Sequence, residues 1–166
     1  FTKLAGEMAA GYRKAKDRYV LDHEFFKKET IIQTYVIREI LEESVQKFGE
    51  VKAVKWLNRK EVLEKSYSEM MKNVISTRKG LLAEDFAGKH IALIGTSSVE
   101  WIESYLGIIT GCTTAVPLDA ALPCEELIDL INRSDSEALF LSPKHRPYLE
   151  AFLANCPKLQ KVWMLQ

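Results

Sequence analysis

Three short stretches of this 166-residue sequence carry side chains that could do chemistry. Gly95-Thr96-Ser97-Ser98 joins a glycine to three hydroxyls. At a helix N-terminus such a stretch can cradle an anion through backbone N–H groups. It fits neither G-x-G-x-x-G nor G-x-x-x-x-G-K-[ST]. Ser97 as a helix cap, worth about 1 kcal/mol, is the preferred reading. Asp119, in Pro117-Leu118-Asp119-Ala120-Ala121-Leu122-Pro123, could hold a ribose or a metal. Alone it reads better as a turn or cap residue. Ser142 and His145 offer a nucleophile and a base, but both would fall on the first turn of one helix. No orienting acid or oxyanion site accompanies them, so a cap accounts for these too. A fourth stretch, Ile75-Ser76-Thr77-Arg78-Lys79-Gly80, faintly resembles a phosphate loop. It lies in a helical pattern with no glycine before the lysine, so its backbone could not wrap a phosphate.

Metal and thiol chemistry find little support. Cys112, Cys124 and Cys156 are odd in number and show no C-x-x-C spacing, which reads as three reduced thiols. His23, His90 and His145 are isolated from one another. No catalytic, cofactor-binding or metal-ligating residue is therefore assigned.

Composition narrows the classes further. Lys plus Arg equals Asp plus Glu at 23 each, so the basic excess a nucleic-acid binder needs is missing. Zero net charge also suits a small soluble monomer poorly, which suggests a piece that sits inside something larger. No apolar run reaches the roughly 18 residues that span a membrane. The first residue is Phe1 rather than Met, and no signal peptide is visible. A cytoplasmic location is the expectation.

The elements that would position these stretches follow from periodicity. Leu4, Met8, Tyr12, Ala15 and Tyr19 fall at helical spacing, with Arg13, Lys14, Lys16 and Arg18 between them. Such a helix would present either a solvated face, the favoured reading, or a peripheral membrane contact. Residues 22–30 read as a linker. A helix is expected over about 35–48, with Ile37, Ile40, Leu41, Val45 and Phe48 in one stripe and Gly49 ending it. Residues 53–57 and 62–67 read as a hairpin. Ser66 and Glu69 form a capping box that opens a helix with Met70, Val74, Ile75, Leu81 and Leu82 inward.

Gly88 then breaks the chain before His90-Ile91-Ala92-Leu93-Ile94-Gly95, the pattern of a buried parallel strand. Ser97 and Glu100 read as a second capping box, for a helix to about Thr110. Strands follow at 113–118, 137–141 and 161–165. Helices lie between them, from Pro123 to Arg133 and from Ser142-Pro143 to Leu153. This alternation predicts an α/β fold with a doubly wound, mostly parallel sheet, whose last strand would leave an edge to be paired or covered. Ligands of such sheets sit beyond the C-terminal strand ends, where the three stretches lie.

The order of segments over 31–166 resembles the start of the AMP-forming acyl-CoA synthetase family. Ala53-Val54-Lys55-Trp56, Tyr67-Ser68-Glu69 and Gly88-Lys89-His90-Ile91-Ala92 match its early segments. Ser97-Ser98-Val99-Glu100-Trp101 and Tyr105-Leu106-Gly107-Ile108 match an Asn-Ser-x-Glu-Trp element and its helix, with Ser97 in place of the usual Asn. Val116-Pro117-Leu118-Asp119 with Leu122-Pro123-Cys124-Glu125-Glu126-Leu127 is most similar to the long-chain fatty-acid-CoA ligase branch.

The resemblance implies a two-step ligase using ATP, CoA and Mg2+ on a fatty acid. The family's phosphate loop ending in Pro-Lys-Gly, its Tyr-Gly-x-Thr-Glu segment, its ribose-binding Asp and its catalytic Lys find no match here. The expectation is an N-terminal fragment, residues 1–30 helical and 31–166 the first part of the ligase domain. It would be inactive alone and packed against the rest of its polypeptide. Two alternatives stand: a ligase for a medium-chain, aryl or amino acid, and a stand-alone α/β binding module.

Overall fold

The structure, a computed structural model, describes residues 12–15 and 18–21 as backbone and residues 36–165 in full. The chain divides into two compact units, residues 1–36 and 37–166. In the first, Tyr12–Ala15 (β1) and Arg18–Leu21 (β2) pair antiparallel, with Tyr12 opposite Leu21. This corrects the helix expected through Tyr12, Ala15 and Tyr19. Tyr and Val favour extended backbone, and strand pairing is a longer-range term that helical spacing does not report. The remainder of that expected helix and linker, 1–11, 16–17 and 22–30, lies outside the described residues.

The second unit opens with α1 (Ile37–Phe48). Leu41 and Val45 are half-buried, whereas Ile37, Ile40 and Phe48 stay exposed, so only part of the expected stripe is used. Gly49 follows the helix but does not adopt a positive φ. Its role is close approach: a Cβ there would lie 2.7 Å from Ser68 Oγ. Next come β3 (Lys52–Asn58) and β4 (Glu61–Ser66), an antiparallel hairpin closed by Arg59 and Lys60. Tyr67, expected in the returning strand, instead begins α2 (Tyr67–Ala83). Both halves of the capping box form: the Glu69 N–H donates to Ser66 Oγ at 3.2 Å, and the Ser66 N–H donates to Glu69 Oε2 at 2.7 Å. Met71 is buried in this helix in place of Leu82, which is exposed.

The main sheet has four parallel strands, β5 (His90–Ile94), β6 (Thr114–Leu118), β7 (Ser136–Leu141) and β8 (Lys161–Met164), in the order β6-β5-β7-β8. Their connections carry α3 (Val99–Ile109), α4 (Cys124–Arg133), and a 3-10 turn (Pro143–Tyr148) leading into α5 (Leu149–Asn155). Side chains alternate across β5, and both faces are apolar. Ile91 and Leu93 pack with Leu81, Ile108 and Phe140 on one side. Ala92 and Ile94 pack with Leu127, Ile131 and Phe152 on the other. Helices therefore cover both faces, as a doubly wound sheet requires. Pro117, which has no N–H to give a ladder, sits on the edge strand β6.

Candidate functional site

The strand order decides what meets at the C-terminal end of the sheet. The chain leaves β5 toward β6, then crosses back so that β7 pairs on the other flank of β5. Connections running in opposite directions from one strand open a crevice between them. A groove of about 470 Å³ lies there, lined by Gly95, Thr96, Ser97, Leu118, Asp119, Ala120, Ala121 and Lys144. The first two stretches line it directly; the third contributes Lys144, while Ser142 and His145 themselves are not part of the lining. The Lys-Gly pair at 79–80 lies within α2 and does not line this groove.

Asp119 keeps its expected role, whereas the other two stretches differ in detail from theirs. The cap of α3 is Ser98, whose Oγ accepts from the Trp101 N–H at 3.1 Å. That overturns the expected Ser97–Glu100 box: the cap lies one residue later, its third helical residue is Trp101, and only the serine half of a box forms, with Val99 buried at the first helical position. Ser97 is thereby left exposed on the groove. Asp119 does act as a turn residue, its Oδ1 accepting from the Ala121 N–H at 2.9 Å. Pro123, expected as a first helical residue, is the cap position of α4.

Ser142 does not cap with its side chain. Its Oγ lies 2.8 Å from His145 Nδ1, and His145 Nε2 lies 2.8 Å from the Ala120 carbonyl oxygen. A carbonyl only accepts, so Nε2 carries the proton, and in the neutral ring Nδ1 accepts from the Ser142 hydroxyl. Both residues are buried. A carbonyl stands where a catalytic pair would have an orienting acid, so the pair works as a tie between the loops after β6 and β7. The three-residue spacing of Ser142 and His145 was the available signal for this bond.

Close packing holds the third loop. A Cβ on Gly95 would come within 3.1 Å of both Trp101 Cδ1 and Leu165 Cδ1, and 3.2 Å of Ser142 Cβ. Burial pushes the Cys124 and Cys156 thiols up, which keeps them protonated and poor nucleophiles. Among the described residues no group of three or more His, Cys, Asp or Glu could hold a metal. The groove thus offers exposed hydroxyls, one cation and one carboxylate on fixed loops, a surface able to receive part of a polar, anionic ligand.

A family model described as "AMP-binding enzyme" matches residues 41–165. Over 95 residues the sequence is 32% identical to a CoA ligase of Gibberella moniliformis, a match covering 54% of this chain and 16% of that protein. Among solved structures, anthranilate CoA ligase AuaEII with anthranoyl-AMP superposes with a TM-score of 0.69 at 18% identity, over 78% of this chain and 25% of that one. The N-terminal domain of FACL13 from Mycobacterium tuberculosis does so with a TM-score of 0.68 at 19% identity, over 75% and 32%. The chain spans a third or less of the length of each of these proteins.

Proposed function

Because the chain belongs to the AMP-binding enzyme family, matched over residues 41–165, we propose that it forms the first subdomain of an AMP-forming acid–CoA ligase. The acid we assign is a long-chain fatty acid. In the first step the acid's carboxylate attacks the α-phosphorus of ATP and pyrophosphate leaves. In the second, the CoA thiol attacks the acyl carbonyl carbon and AMP leaves. The observation that carries the reading is the groove where the loops after β5, β6 and β7 meet, with Lys144 on its wall. Both cosubstrates carry phosphates, and a lysine at this place supplies a point charge for one of them.

The residues fit the two cosubstrates and the metal unequally. Lys144 with the Thr96 and Ser97 hydroxyls suits contact with a single phosphate. No described stretch makes a cage for a triphosphate, and the donor set lacks the grouped carboxylates of a Mg2+ site. No bond-making step is therefore routed through this chain's side chains. Its part is to orient ligand along one wall of the cleft, with the Ser142–His145–Ala120 tie keeping two loops in register. The Val116-Pro117-Leu118-Asp119 and Leu122-Pro123 pattern supports the long-chain assignment.

ATP–pyrophosphate exchange tests the reading. The full-length gene product is expected to exchange with a long-chain fatty acid, and the 166-residue chain alone is not. Lys144→Ala in the full-length protein is expected to raise KM for ATP or CoA severalfold with little change in kcat. Exchange by the 166-residue chain, or strict preference for an aryl acid, overturns the respective part of the proposal.

A further inference from the structure

The tip of the β3–β4 hairpin departs from how a solvent-facing hairpin is ordinarily built. All six residues from 57 to 62 are exposed, so the tip is a convex projection. Leu57 and Val62 are directly paired and share one face, 68% and 64% exposed. The exposed face of an antiparallel ribbon is normally polar, and these two aliphatic side chains break that alternation. Between them, Arg59 and Lys60 close the hairpin, and neither has an ion-pair partner among the described residues. Arg59 holds φ 57°, a left-handed conformation that favours glycine. A long cationic side chain thus occupies a position where glycine would relax the backbone. Glu61 is the loop's carboxylate, and it pairs with Asn58 on the opposite face from Leu57 and Val62.

The base of the ribbon is held firmly. Lys65 Nζ bonds Glu103 Oε1 at 2.7 Å and lies 6.0 Å from the Trp56 ring centre. Lys52 and Lys55 share one carboxylate, Glu64, which offsets one of their two charges. At the tip Arg59 and Lys60 are two cations outside any ion pair among the described residues, against the one carboxylate of Glu61, and they stand beside the apolar pair.

We propose that this tip docks on an anionic phospholipid surface. Leu57 and Val62 enter the acyl boundary while Arg59 and Lys60 meet headgroup phosphates. The shape selects the partner class: a convex wedge with an apolar flank and two cations fits a deformable amphiphilic surface, whereas a protein partner would have to offer a matching cleft. The charge complementarity selects anionic over neutral lipid.

Co-sedimentation of the 166-residue chain with vesicles checks this, comparing phosphatidylcholine mixed with phosphatidylserine against phosphatidylcholine alone. The chain is expected to partition onto the mixed vesicles and to be released by added salt. Leu57→Thr/Val62→Thr keeps strand-forming residues and removes the apolar wedge. Arg59→Gly/Lys60→Ser removes both cations and relaxes the backbone, so it folds at least as well as wild type. Arg59→Gly/Lys60→Ser is expected to lower partitioning about fivefold or more, since one cation near an anionic surface accounts for about that factor, and Leu57→Thr/Val62→Thr to lower it through the lost apolar insertion. Equal binding to both vesicle types, no binding to either, or undiminished binding by Arg59→Gly/Lys60→Ser overturns the proposal. In the last case the basic residues Arg13, Lys14, Lys16 and Arg18 would account for the binding.

Discussion

Gly107 of α3 rests against Thr77 of α2 so closely that a Cβ on the glycine would lie 2.5 Å from Thr77 Cβ and 2.7 Å from its Cγ2. The same added atom would be 3.1 Å from the Val74 carbonyl oxygen. No rotamer change relieves a contact to a Cβ or to backbone. Gly107→Ala is therefore expected to destabilise the domain by about 1–3 kcal/mol, read as a lower denaturant midpoint. Thr77→Ala should not rescue it, because the tightest contact is to an atom alanine retains. Full rescue would show that α2 and α3 are not in fact held this close.

His145 is expected to tolerate substitution poorly. His145→Ala removes both arms of the tie and leaves the buried Ser142 hydroxyl without its partner. A loss of about 2–4 kcal/mol is expected from the cavity and the orphaned group together. Equilibrium unfolding measures this, and a loss under half a kcal/mol would mean the loops after β6 and β7 hold their places without the imidazole.

Glu103 is 4% exposed and is met by Lys65 at 2.7 Å and Asn73 Nδ2 at 2.8 Å. Lys65→Met leaves a buried carboxylate with one neutral donor and should cost about 3 kcal/mol. The double variant Lys65→Met/Glu103→Leu should recover most of that loss, since an apolar pair of similar volume carries no desolvation penalty. A double-mutant cycle with no coupling would remove this pair from the account of how the hairpin is anchored.

The capping box makes stability depend on pH. The Ser66 backbone N–H and then its hydroxyl hold the Glu69 carboxyl below the ordinary glutamate range. A carboxyl depressed on folding contributes stability that is fully present above its unfolded value. The contribution is lost as pH falls through the folded value. Wild type should therefore lose midpoint stability relative to Glu69→Gln between about pH 6 and about pH 3. Parallel pH profiles would remove Glu69 as the source. Ser66→Ala should cost about 1 kcal/mol at neutral pH.

Local signals were the legible ones. Ser66 and Glu69 lie one helical turn apart and depend only on each other, so their spacing alone specified both bonds. The apolar run at 90–94 announced a buried parallel strand, and it became β5. Adjacent hydroxyls were not separable: whether Ser97 or Ser98 caps α3 is settled by the burial of Val99, a tertiary term. Tyr12, Ala15 and Tyr19 match a helical period, yet Tyr12 and Tyr19 lie on paired strands. The groove was legible as three separate junctions and not as one place. Gly95, Asp119 and Lys144 converge only because β5 is flanked by β6 and β7, a pairing order that no local window contains.

Pro117 makes the two flanks of the main sheet unequal. On the β6 flank a residue without an N–H interrupts the donor pattern that another strand would need. On the β8 flank, Lys161, Val162, Trp163 and Met164 form a proline-free edge, and all four are half-buried. The β8 flank is therefore the edge on which every residue has an N–H, whereas the β6 flank is one donor short.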